Sequence, residues 1–151
     1  MPPAPATIVR PSDNGSAAAV RPVFLYDGDC AFCTRCADFI DEHIPTRARV
    51  VPWQWADLAS LGVTQEEAEA AVQWITPHGH VSAGPEAVAQ LLIDAGSFWR
   101  PLGRFLNLEP VLWAAAPLYR VVARNRHRLP GGTAACSLPQ AERDRRRAEQ
   151  P

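Results

Sequence analysis

The chain has 151 residues, of which 47% are apolar and 21% charged, and a formal net charge of −1. This is the composition of an ordinary globular domain large enough to bury one core, which excludes a low-complexity or strongly polyionic protein. Its four cysteines are too few for a disulfide scaffold. Charge is unevenly placed. Residues 1–96 carry 5 Arg against 12 acidic residues, a net of −7, and residues 97–151 carry 10 Arg against 4, a net of +6, with no Lys anywhere. The opening residues lack the continuous apolar stretch of a secretory signal, and no run of about 18 apolar residues exists to span a membrane. The expectation is a cytoplasmic protein without a transmembrane segment.

Residues 1–21 hold Pro2, Pro3, Pro5, Pro11, Gly15 and many Ala, and read as a disordered lead-in. Val23–Tyr26 is apolar and strand-forming. A helix is predicted from Cys30 to about His43, with Phe32, Cys36, Phe39, Ile40 and Ile44 near one face, and Pro45 ends it. Val50–Trp55 reads as a second strand, with Pro52 tolerable only at an edge or a bulge. Thr64-Gln65-Glu66-Glu67 has capping-box spacing and starts a short helix over 65–71. Val72–Thr76 and Val81-Ser82 are strands around a Pro77-His78-Gly79-His80 turn. Pro85 opens a helix that carries Val88, Leu91 and Leu92 inward and stops at Gly96. Helices follow over 98–108 and 110–127, the second with Val111, Leu112, Ala115, Leu118, Tyr119 and Val122 at helical spacing and a kink expected at Pro117. Residues 139–151 read as a charged, frayed tail. The order β-α-β-α-β-β-α is that of a thioredoxin-like α/β core with a mixed sheet, here over residues 22–138 with added C-terminal helices.

The chemistry concentrates in Phe24-Leu25-Tyr26-Asp27-Gly28-Asp29-Cys30-Ala31-Phe32-Cys33. Asp27-Gly28 is a turn pair, and Asp29 is a suitable N-cap. A strand that delivers Cys-x-x-Cys onto a helix N-terminus is the arrangement of a thiol–disulfide redox centre. The helix dipole favours a thiolate there, and cysteines three apart sit on neighbouring turns, close enough to bridge. Cys30, nearer the helix start, is expected to be the exposed attacking thiol and Cys33 the resolving one. Asp27 and Asp29 work against a low thiol pKa, which favours a reducing or isomerising role. Asp27 could also transfer a proton, if its own pKa is raised.

The run Tyr26-Asp27-Gly28-Asp29-Cys30-Ala31-Phe32-Cys33 resembles the signature of the DCC family of predicted thiol–disulfide oxidoreductases, named for an Asp followed by two Cys. A second segment, Tyr119-Arg120-Val121-Val122-Ala123-Arg124-Asn125-Arg126-His127-Arg128-Leu129 followed by Gly131-Gly132 and Cys136, is similar to that family as well. The resemblance implies a thioredoxin-like fold and dithiol activity without an organic cofactor. The family does not itself supply a substrate; exchange at a Cys-x-x-Cys dithiol would act on a disulfide-containing protein or a small thiol, with a cellular thiol reductant to recycle the pair. The resemblance also suggests that the Arg run at 120, 124, 126 and 128, with Arg120 and Arg124 foremost, pins its helix to the sheet or places positive charge near the thiolate. One departure stands out. Many thioredoxin-like enzymes carry a cis-proline just before the third strand, and here that position falls at Ala70–Ala71, with no Pro.

Other readings remain. Cys36 extends the spacing to Cys-x-x-Cys-x-x-Cys, and with Cys136 would complete four ligands for zinc or an iron–sulfur cluster. A small buried thiol at Cys36 is the simpler reading. Cys136 could instead be a further resolving thiol. His78 and His80 in a hairpin turn are most simply solvated. The Arg run over 120–128 lacks the interleaved aromatics of a nucleic-acid surface, so no nucleic-acid partner is expected.

Overall fold

The computed structural model describes residues 21–129, 132 and 138–150. The expected disorder of the first residues, and any role of Cys136, lie outside them. A four-stranded mixed sheet has the order β2-β1-β3-β4. β1 (Val23–Tyr26) lies inside it, parallel to β2 (Arg49–Pro52) and antiparallel to β3 (Gln73–Ile75), which pairs antiparallel with β4 (Val81–Ala83). Seven α-helices accompany the sheet among the described residues: α1 (Ala31–His43), α2 (Leu58–Leu61), α3 (Gln65–Ala70), α4 (Pro85–Ala95), α5 (Trp99–Leu106), α6 (Glu109–Asn125) and α7 (Gln140–Glu149). This mixed α/β architecture is compatible with a thioredoxin-like fold.

Alternation along β1 divides the core into two. Phe24 joins Trp74, Ile40 and Ile44 of the α1 region, and Leu91 and Leu92 of α4. Val23 and Leu25 turn the other way, onto Trp53, Val63, Ala68 and Ile75. The second strand is shorter than its apolar run. It ends at Pro52, on the sheet edge, and Trp53–Trp55 turn as a 3-10 helix. Proline at that position cannot donate to a further ladder bond, which is why an edge accommodates it. The capping box forms as spaced, Thr64 accepting from the Glu67 amide and Glu67 from the Thr64 amide.

Three expectations change. On α1 the buried positions are Ala37 and Ile40, continued by Ile44, whereas Phe39 and Cys36 face outward. α6, whose apolar positions were expected to pack along one face, buries no side chain fully, and Pro117 lies within it. The C-terminal segment is no frayed tail. It forms α7, which buries Gln140 and Arg143 although it has no apolar stripe.

Candidate functional site

The site is built where β1 runs into α1. Cys30, not Asp29, is the N-cap of α1, with extended backbone and no side-chain cap bond. Asp29 is drawn elsewhere. Its amide donates to Asp27 Oδ1 at 3.1 Å, closing a local turn, and its carboxylate pairs with Arg147 of α7. Gly28 is required by a close approach. A Cβ there would lie 2.6 Å from Pro52 Cβ, on the neighbouring strand, and the Gly28 amide donates to Gln54 Oε1 at 3.0 Å.

Asp27 is buried and carries five polar contacts. Arg143 of α7 donates to both of its oxygens, each at 2.7 Å. Gln54 donates at 2.8 Å, the Asp29 amide at 3.1 Å, and the Arg126 guanidinium lies 3.5 Å away. Burial pushes the Asp27 pKa up, but the hydrogen bonds from Arg143 and Gln54 and the charges of Arg143 and Arg126 prevail and hold it below the ordinary carboxylate value. The condition for Asp27 to serve as a proton-transfer base, a raised pKa, is therefore not met. Nothing local in the sequence marks Gln54 or Arg143 as partners of this site. Only Arg126 carried a signal, as a member of the second motif.

The two sulfurs of the motif differ in access, in the opposite sense to expectation. Cys30 is the sheltered one, 0% exposed, and Cys33 is partly exposed on the next turn. Cys33 and Cys36 are free thiols, so no bond joins Cys30 to Cys33; Cys30 itself is not a free thiol. Arg126 places its Nη1 3.6 Å from Cys33 Sγ. Burial is the main cause that pushes the Cys33 thiol up, Asp27 adds to it, and the charge and hydrogen bond of Arg126 oppose it. Burial is also the main cause of the rise at Cys36, with Cys33 adding to it. At Cys33 the effect of the Asp27 carboxylate is smaller than that of burial and of the opposing Arg126 charge.

Beside Cys33 and Cys36 opens a cavity of about 560 Å³ between α1, α4 and α6, walled by Phe24, Ile40, Leu91, Trp99 and Tyr119. Tyr119 is held by its hydroxyl, which accepts from the Val72 amide at 3.1 Å. Ala71 and Val72, around the position where a proline was absent, line the same cavity. Arg120 and Arg124 are exposed on α6, and neither is among the cations that reach Asp27 or Cys33. His78 and His80 are exposed in the β3–β4 turn. Among the described residues no three His, Cys, Asp or Glu side chains converge as metal ligands.

A family model for DCC1-like thiol-disulfide oxidoreductases matches residues 24–132. That span begins in β1, contains the Cys30–Cys33 motif and Arg126, and ends before α7. No match to a curated protein or to a solved structure accompanies it. The chain belongs to the DCC1-like thiol-disulfide oxidoreductase family.

Proposed function

We propose that this family member reduces or exchanges disulfides through Cys33 and Cys30, by way of a mixed disulfide. The observation that carries the reading is the Cys33 sulfur. It is a reachable free thiol one turn from Cys30 at the start of α1, with the Arg126 guanidinium 3.6 Å away to favour its thiolate.

Once a thiol reductant has released Cys30 from its own bond, leaving it a thiol beside the already free Cys33, the chemistry balances in two displacements. The Cys33 thiolate attacks one sulfur of the incoming disulfide, the sulfur–sulfur bond breaks, and the first substrate thiolate leaves. The Cys30 thiolate then attacks Cys33 Sγ and releases the second. The product is a Cys30–Cys33 disulfide and two substrate thiols, and a two-electron thiol reductant of the cytosol restores the dithiol. Access is the reason for placing Cys33 first, reversing the order that distance from the helix start suggests. Asp27 acts as a fixed anion that positions Arg126. The cavity beside Cys33 gives an apolar substrate group room next to the reacting sulfur.

The test is turnover of hydroxyethyl disulfide with a thiol reductant. Cys33→Ser is expected to abolish turnover, and Cys36→Ser to preserve most of it. Full activity in Cys33→Ser would overturn the reading. Stoichiometric zinc or a visible-absorbing cluster, lost when Cys30 or Cys33 is replaced, would assign the cysteines to metal binding instead.

A further inference from the structure

The redox site leaves one large feature of the molecule unexplained, the outer face of α5 and α6. α5 buries a single residue, Gly103, and α6 buries none. Their inward faces are nevertheless fixed. A Cβ on Gly103 would lie 2.7 Å from the Ile93 amide nitrogen and 2.8 Å from the Ala89 carbonyl, so α5 sits directly on the backbone of α4. Tyr119 ties α6 to the residue before β3.

With those faces turned in, helical geometry turns the large apolar side chains out. Phe98, the residue before α5, and Leu102 and Phe105 on it recur at four and three residues and form one exposed stripe. On α6, Trp113, Leu118 and Val121 share the exposed arc. Leu108, between the helices, is exposed as well. Trp113 is 87% and Phe98 79% exposed, which a globular surface rarely leaves to water in such numbers.

The charges around these stripes are mostly positive. Arg120 and Arg124 lie exposed on the outer arc of α6, beside Trp113; on α5, Arg100 and Arg104 are exposed but lie off the stripe, Arg100 donating to the Ile93 carbonyl of α4. None of the four is in an ion pair among the described residues. Glu109 is the one acidic residue between positions 98 and 125. Exposed aromatic and aliphatic side chains interleaved with arginines are what the headgroup boundary of an anionic bilayer accommodates, rings at the acyl boundary and guanidinium groups at the phosphates. A second copy of the chain fits less well, because a symmetric contact through this face would set arginine against arginine. No helix among the described residues is long and apolar enough to cross a membrane, so the contact would lie on the surface.

We infer that the α5–α6 face docks on an anionic lipid surface. The opposite side of α6 holds Tyr119 and leads into Arg126, so docking would place the Cys33 site close to the bilayer.

The test is co-sedimentation of the full chain with vesicles of phosphatidylcholine alone or mixed with phosphatidylglycerol, at low and high salt, with oligomeric state measured by sedimentation velocity. Binding is expected on the phosphatidylglycerol vesicles only, and weaker at high salt. Arg120→Gln with Arg124→Gln should weaken partition about thirtyfold. Phe105→Ser with Trp113→Ser should reduce it at least tenfold, and all four positions are exposed enough for the variants to fold. No preference for the anionic vesicles, or binding unchanged in both double variants, would overturn the inference. So would a dimer that Phe105→Ser with Trp113→Ser dissolves, since the face would then be a protein interface. The disulfide turnover assay is independent of every one of these outcomes.

Discussion

Arg143 closes on Asp27 from 116 positions along the chain, its two terminal nitrogens each 2.7 Å from a different carboxylate oxygen. Both side chains are buried, and a third charge, Arg126, lies 3.5 Å from the same carboxylate. The pair explains why a helix without an apolar stripe docks at all. α7 is held by ion pairs from Arg143 and Arg147 to the loop that precedes Cys30, and by Gln140 packed beside Gln54.

Removing one member of a buried pair strands the other. Arg143→Ala should therefore cost about 3 kcal/mol in denaturant unfolding and expose α7 to rapid amide exchange. Unchanged exchange in α7 would mean that the helix is held by something other than this pair.

The same pair gives stability an acid dependence of definite sign. Asp27 titrates below its ordinary value of 3.8 in the folded protein, so its contribution is fully present above that value and is lost as pH falls through the lower folded one. Stability is expected to drop in strong acid, and Asp27→Asn should flatten that drop while lowering stability at neutral pH. An acid profile identical in Asp27→Asn and the parent would show that other carboxylates carry it.

Cys33 behaves oppositely. Its thiol is pushed above the ordinary value of 9.0, burial prevailing over Arg126. Its alkylation rate should therefore lag that of a free cysteine at neutral pH and keep climbing through the alkaline range. Arg126→Met should move the profile further up and slow neutral alkylation about tenfold, because a charged hydrogen bond to the thiolate is lost. Arg126→Lys should recover part of it. A profile that does not move in Arg126→Met would remove Arg126 from the chemistry, whatever the variant does to stability.

Gly28→Ala tests the close approach of the loop to β2. The added Cβ would meet Pro52 Cβ at 2.6 Å, and relieving that overlap should cost about 1–3 kcal/mol in thermal or denaturant unfolding. A neutral substitution would show that the loop shifts freely.

Local patterns made much of this molecule legible. Val23–Tyr26 followed by Asp27-Gly28 gave away the strand and turn, Thr64 and Glu67 the capping box, and Pro85 and Gly96 the limits of α4. Each of these is decided by residues within a few positions of one another. The site's wiring is not local. Gln54 and Arg143 meet Asp27 from 27 and 116 positions away, and an arginine in a charge-rich segment looks the same whether solvated or buried. The order of access at Cys30 and Cys33 was likewise hidden, because spacing places two sulfurs on neighbouring turns without saying what covers each. On α1, Phe39 is larger than Ala37, yet the rotation of the helix is set by Ile40 and Ile44, which leaves Phe39 outside.

Which sulfur meets the substrate decides the order of the two displacements. The measurement that addresses this most directly is mass mapping of the adduct formed when reduced Cys30→Ser protein is mixed with hydroxyethyl disulfide and quenched with acid. A stable mixed disulfide on Cys33, which the missing Cys30 can no longer resolve, is the predicted result. An adduct confined to Cys36, or no adduct at all, would contradict it.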